Sequence, residues 1–349
     1  MINDLRQRFL SWQKNKAKPF FRLSAIHLQN WPTYAQWKKA LSVFHRKERI
    51  LLLSLVFTTL LSISALGYEF YLSRTIFKPA PGGTYSEALI GQPRFLNPAL
   101  AAANDSDRDM SELLFSGLMN YNAKGELIPD LAKRYEISNE GRQYYFFLRQ
   151  NAQWHDGHPF DADDVIFTIK TIQNSDYKSP VRANWTGVQV EKIDDFSIRF
   201  ILRNSYPPFL ENTTQKIMPL HIWKDIPAGA FPLAYSNLEP QGTGPFRFEM
   251  LESDANGFIR SLTLLRNETY YGNPPYLKKL TFYFFKSEKE ALEAIKRKDV
   301  KGMQFISAEN LKEIELKEYL HVIRPTLQRT FSVFFNTAQS EILKDKRIR

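Results

Sequence analysis

Cysteine is absent from all 349 residues. That excludes a disulfide framework, a thiolate zinc site, a cysteine nucleophile and a lipid carried on an N-terminal cysteine, so any membrane tether has to be the chain itself. Catalytic signatures are missing as well. Neither G-x-S-x-G nor H-E-x-x-H occurs, and only four of the six histidines follow the apolar run near residue 60, which leaves nucleophilic and zinc-protease chemistry without a motif. Gly242-Thr-Gly-Pro245 lacks a G-K-[ST] ending and the G-x-G-x-x-G pattern before a helix, so it is not read as a phosphate loop. Glycine and proline number only 15 and 19, and hydrophobic residues make up 43%. Collagen-like and disordered classes fall away, and a sizeable core is affordable.

What is present is unevenly placed. The net charge is +10, but residues 1–49 hold 11 Lys/Arg against 2 acids while residues 50–349 hold 36 against 35. The basic excess therefore belongs to the N-terminal segment, and the balanced remainder gives no electrostatic footprint for nucleic acid. Ile50 to Tyr68 is 19 residues without a charge, about 28 Å of helix and enough for a hydrocarbon core. Arg46, Lys47 and Arg49 abut its start, which places residues 1–49 in the cytoplasm and the bulk of the chain outside. Ala65 and Gly67 resemble a small-x-small cleavage site, but a 49-residue leader is too long for a signal peptide. The expectation is a single-pass anchor over residues 50–69, followed by a Pro/Gly linker over 70–83. Trp37, Ala40, Leu41 and Phe44 fall at helical spacing, as an interfacial helix would have them, or as a basic aromatic stretch that only enforces topology.

Beyond residue 84 strands and helices alternate, which gives an α/β class with mixed α+β sheets. Tyr144–Leu148 is an aromatic strand, and Asp161 caps a helix whose apolar stripe is Val165, Ile169 and Ile172. Val188 and Val190 pair with Phe196 to Leu202 across a turn at Asp194-Asp195. Phe246 to Met250 and Ile259 to Leu265 form a hairpin around Asn256-Gly257. Leu280–Phe285 is a further strand, Ser287 and Glu290 open a capped helix, Ser307–Leu316 is a helix and Phe331–Asn336 a strand.

Two clusters invite a chemical reading. His155-Asp156-Gly157-His158 offers two imidazoles on one tight turn, with no further ligand supplied by spacing, so it is read as turn geometry and no metal is expected. Asp161, Asp163 and Asp164 are explained by helix capping, as are Asp105, Asp107, Asp109 and Glu112 ahead of Leu113–Leu118.

The stretch RQYYFFLRQNAQWHDGHPFDADDVIFTIKTI, residues 142–172, resembles the signature of the family 5 extracellular solute-binding proteins, the oligopeptide, dipeptide and nickel receptors of ABC importers. Phe95-Leu-Asn-Pro98, Leu118–Leu131, Pro219–Trp223, Gly242–Pro245, Arg266–Leu280 and Phe335-Asn336 with Asp345–Arg349 agree in the family's order. The resemblance implies a two-lobed, periplasmic-binding-protein-like clamshell of type II. Residues 84–305 would be the first lobe, with 118–239 as its inserted subdomain, and 306–349 only the start of the second, so the chain reads as C-terminally truncated.

It further implies a non-enzymatic, cofactor-free receptor that captures an oligopeptide or dipeptide and presents it to ABC permease subunits. The alternative is an anchored sensor or scaffold that uses the same lobe without transport. The loop Ala103, Asn104 and Asp105 would face the cleft, or else cap a helix, and Trp185, like Trp154, would line the cleft or fill the core.

Overall fold

The computed structural model describes residues 44–76, 78–315 and 319–324, together with isolated positions 39, 335, 336, 339 and 342. The expected interfacial helix around Trp37–Leu41, the strand Phe331–Asn336 and the segment Asp345–Arg349 lie outside or almost wholly outside these residues. The chain divides into two compact units, Met1–Lys78 and Pro79–Arg349.

The described part of the first unit is one helix, α1 (Arg46–Arg74). It starts where the sequence supplies a box of side chain and backbone: the Glu48 carboxylate accepts the His45 N–H at 2.8 Å. Its described residues are exposed or half-buried, including Leu51, Phe57 and Leu66. An apolar surface on every side is what a helix surrounded by lipid presents. Several of its hydroxyls turn inward to its own backbone, Ser54 donating to the Leu51 carbonyl and Thr58 and Thr59 both to that of Leu55. That satisfies them without water. Length and composition suffice to cross a membrane, and the helix extends several residues past the expected 50–69 at each end.

In the second unit the elements run β1 (Thr84–Ile90), α2 (Asp105–Leu114), β2 (Met119–Tyr121), β3 (Leu127–Pro129), β4 (Ala132–Ser138), β5 (Gln143–Leu148) and α3 (Ala162–Gln173). There follow α4 (Arg182–Trp185), β6 (Gln189–Asp194), β7 (Ser197–Ile201), α5 (Phe209–Asn212), α6 (Leu220–Trp223), β8 (Phe246–Ser253) and β9 (Ile259–Arg266). Last come β10 (Lys279–Phe285), α7 (Glu288–Lys296), β11 (Gly302–Met303) and α8 (Ala308–Glu315). Every sequence-predicted element within the described residues is present and of the expected type.

Two larger sheets result. One is mixed, ordered β11-β1-β10-β9-β8, with β1 parallel to both its neighbours. The other is antiparallel, ordered β4-β5-β7-β6. In β5 alternate residues Tyr144, Phe146 and Leu148 are buried, and register sets Tyr144 opposite Phe200 and Phe146 opposite Ile198. Cross-strand aromatic and β-branched pairs of this kind are what hold such a face together. Phe146 meets Phe200 edge-on at 5.7 Å, and Trp185 and Phe209 close over the same ring. One contiguous core joins this face to Leu89, Leu262, Leu264, Phe282 and Phe284 of the mixed sheet. Ala88, pointing the opposite way from Leu89, packs with Leu292, Ile295, Val300 and Ile314 in a second cluster. The mixed sheet is thus covered on both faces around β1, as a strand with parallel neighbours requires.

Two local details differ from expectation. α2 ends at Leu114 rather than running on toward Leu118, because Phe115 turns extended and the Gly244 N–H takes the Leu114 carbonyl at 2.9 Å. At the β8–β9 turn only Gly257 has positive φ, +77°. The hairpin around Asn256-Gly257 forms, but the Asp254 carboxylate accepts the N–H groups of Asn256 and Phe258, so its turn is a three-residue loop, Ala255 to Gly257, rather than a two-residue one.

Candidate functional site

The loop over residues 103–105 is built as the start of α2. Asn104 is its N-cap: Oδ1 accepts the Asp107 N–H at 2.8 Å, and Nδ2 donates to Asp107 Oδ2 at 2.6 Å. Asp107 is fully buried and also accepts the Arg94 N–H at 2.6 Å. Burial pushes the Asp107 carboxyl up, against the pull of these donors. Both ends of the Asn104 amide are therefore engaged in structure. Asp105 is exposed and pairs with Arg108 at 2.7 Å. Ala103 lines a shallow cavity of about 320 Å³ with Phe95, Leu100, Tyr177 and Pro180.

Trp185 is 1% exposed, packed on Phe200 and Phe209, with Gln173 donating to its carbonyl. It belongs to the core, yet its environment opens on a second cleft of about 390 Å³ bordered by Arg108, Glu112, Glu211, Gln215 and Lys216. Trp154 is core, its indole N–H donating to Asp164 Oδ2 at 3.1 Å. Of the four predicted site residues, Ala103 lines one hollow and Trp185 borders another, while Asn104 and Asp105 line neither.

The 390 Å³ cleft carries charge of both signs. Lys216, almost fully buried, reaches Glu112 at 2.7 Å. Behind it Asp130 accepts the Tyr271 hydroxyl at 2.5 Å, and burial raises its carboxyl despite the Tyr271 donor and the nearby cations. A third hollow, about 460 Å³, lies at the β1–β11 edge between Tyr85, Glu87, Gln304, Ile306 and Tyr319. Glu87 there is raised by burial first and by the Asp109 charge second, and Gln304 donates to the Asp109 carboxylate. Glu87 and Gln304 carry no sequence signal for this role, since the parallel pairing of β1 with β11 alone brings them beside α2.

The His155–His158 turn divides into two parts. His155 is structural: Nδ1 accepts the Gly242 N–H at 3.0 Å and Nε2 faces the Gly244 carbonyl at 3.1 Å. Burial holds it near 4, so it stays neutral in the form those two bonds require. Asp156 and His158 lie on the outer side. His221, from α6, brings Nε2 to 2.7 Å from Asp156 Oδ2 and stacks on His158 with ring centres 4.1 Å apart. Spacing within residues 155–158 gave no hint of this third group, although it lies inside the Pro219–Trp223 segment already singled out.

Residues 126–349 match the family described as bacterial extracellular solute-binding proteins, family 5 Middle. Over 314 residues the chain is 26% identical to the oligopeptide-binding protein AppA of Bacillus subtilis, covering 87% of this chain and 56% of that one. It is 28% identical to the dipeptide-binding protein of Escherichia coli over 55% of this chain and 39% of that one. The chain thus spans about half the length of the curated relatives it matches, or less. Among solved structures, AppA of Bacillus subtilis in complex with a nonapeptide aligns at TM-score 0.62 and 26% identity, over 68% of this chain and 47% of that one. NikZ of Campylobacter jejuni in complex with Ni(L-His) aligns at TM-score 0.60 and 26% identity, over 67% and 45%. The mixed α/β architecture is that of these periplasmic-binding-protein-like clamshells, and the chain belongs to the family 5 extracellular solute-binding proteins.

Proposed function

We propose that this chain is a membrane-anchored, extracytoplasmic receptor that captures peptides for an ABC-type importer. The observation that carries the reading is the alignment with AppA, a relative solved around a nonapeptide, across two thirds of this chain. Residues 84–305 act as the first lobe, with 118–239 inserted, and 306–349 open the second. Strand placement supports this division: β4 to β7 all fall inside 118–239, and every strand of the mixed sheet falls outside it. The ligand wall is the α2 N-terminal loop, Ala103, Asn104 and Asp105, together with Glu87, Asp109 and Gln304 beside it. Acidic and amide groups of this kind suit the amine and main-chain amides of a peptide, and roomy flanking hollows tolerate varied side chains. The role is binding rather than catalysis, and α1 supplies the tether that a lipidated cysteine would otherwise provide.

The test is to purify the full chain in detergent, denature it and identify released small molecules by mass spectrometry, then titrate candidate peptides by calorimetry. Peptides that co-purify and rebind support the receptor. A chain that binds no peptide, metal chelate or other solute overturns it. The basic segment over residues 1–49, which runs into the first turn of α1, favours a second reading, an anchored sensor or scaffold. Peptide binding without any effect on uptake when the gene is deleted would select that reading.

A further inference from the structure

We infer that Asp156, His158 and His221 form a surface site for a borderline divalent transition metal, with zinc as the representative ion. One donor atom from each lies within 4.8 Å of the other two. Asp156 is central, with Oδ2 2.7 Å from His221 Nε2 and Oδ1 3.8 Å from His158 Nδ1. Both rings thus face the same carboxylate, stacked nearly parallel at 11° with centres 4.1 Å apart. Two ligands on one zinc ion at about 2.0–2.2 Å bond lengths sit roughly 3.3 Å apart. To take up an ion the His221–Asp156 pair opens from 2.7 Å to about that separation, and the His158 ring turns out of its stack to aim a nitrogen at the ion, which its 61% exposed side chain leaves room for.

Chemistry selects the metal class. Two neutral imidazoles and one carboxylate suit zinc, nickel or copper, whereas calcium and magnesium prefer all-oxygen sets. Solvent completes the coordination, so the ion is exchangeable.

The donors are held from behind. Asp164, 4% exposed, accepts the Trp154 indole N–H at 3.1 Å and the Leu220 N–H at 2.8 Å. One buried carboxylate thereby ties the segment before Asp156 to the residue before His221, fixing two sequence-distant ligands against each other. His155 pins the same turn to Gly242 and Gly244. Such support behind ligands is what separates a binding site from a chance cluster. A bound ion would clamp the turn between β5 and α3 to α6, and the site stands independently of any peptide bound elsewhere.

The experiment uses the untagged full chain in detergent, stripped with chelator and dialysed against zinc, with bound metal counted by mass spectrometry and the ligand set read at the zinc absorption edge. One ion per chain is expected below about 100 µM free zinc, with two imidazoles at the edge. His158→Ala, whose exposed ring leaves the fold intact, weakens binding at least about tenfold and removes one imidazole. His321→Ala changes neither readout. Zinc uptake unaltered by His158→Ala, or no uptake by the parent chain, overturns the site and leaves the His221–Asp156 contact as a hydrogen bond only.

Discussion

A methyl group on Gly242 would sit 1.7 Å from the Leu114 carbonyl oxygen and 2.6 Å from its carbon, and one on Gly244 would sit 2.6 Å from the Leu113 oxygen. Neither neighbour is a flexible tip, because both are backbone at the end of α2. Gly242→Ala is expected to lower stability by about 3 kcal/mol or more through overpacking. Gly125→Ala, with open space around it but φ of +77°, costs only about 1–2 kcal/mol. Urea unfolding of both variants checks the ordering. The sequence showed only that Gly242–Pro245 lacks a phosphate-loop pattern, and its purpose was hidden, since the atoms that forbid a side chain there belong to Leu113 and Leu114. Asp164 makes a second prediction. Burial lifts its carboxyl to about 6 against the pull of Leu220, Asp161 and Trp154, and the Asp161 charge adds to the rise. Between about pH 4 and 6 the folded chain holds a proton that the unfolded chain has released, so stability falls as pH rises. The loss by pH 7 is about 2–3 kcal/mol. His155 carries the opposite slope and is present in both proteins, so comparing the parent with Asp164→Asn isolates the carboxyl. The difference in unfolding free energy between parent and variant should shift against the parent by that amount from pH 4 to pH 7. A constant difference would mean that the three donors outweigh desolvation.

At the scale of elements, helix starts were the most legible features, because a cap is a contract between residues a few positions apart. Asp161 accepts the Asp163 N–H at 2.9 Å while Asp164 accepts that of Asp161 at 3.2 Å, as the spacing implied. Ser287 accepts the Glu290 N–H, but the Glu290 carboxylate takes Lys286 rather than the cap residue itself, a difference decided by side-chain reach. The same locality settles one of the two roles open to Asn104. Its amide caps α2 and also donates to the buried Asp107, so Asn104→Ala should cost about 2 kcal/mol, above the ordinary range for a lone exposed cap. Asn104→Ser keeps the acceptor and should lose less than half of that. Thermal unfolding of the pair measures the cap, and peptide titration of the serine variant measures any part that Asn104 takes in ligand binding. Partners adjacent in the chain were legible, β6 with β7 and β8 with β9, but distant sheet neighbours were not. β1 pairs over seven residues with β10, and nothing near Thr84–Ile90 names a partner so far along the chain.

For the molecule as a whole, this distant pairing governs how the second unit is assembled. The mixed sheet cannot close until the chain has been made through β10, so its central strand waits for contacts of high sequence separation. α1 is different in kind: its length and apolarity could be read locally from the sequence, and they are all that a spanning helix requires besides backbone bonds of its own. The proposed orientation rests on charge asymmetry alone, with Arg46, Lys47 and Arg49 at the end that the positive-inside rule assigns to the cytoplasm. A chain without cysteine allows a direct test, since any thiol introduced is the only one present. Ser11→Cys tags the basic segment, and Lys124→Cys tags an exposed turn position in the second unit. In spheroplasts treated with a membrane-impermeant maleimide, the Lys124→Cys protein should label at once and the Ser11→Cys protein only after permeabilisation. The reverse pattern would place the binding unit in the cytoplasm and remove it from any route of capture outside the cell. Labelling of both without permeabilisation would mean that α1 does not span.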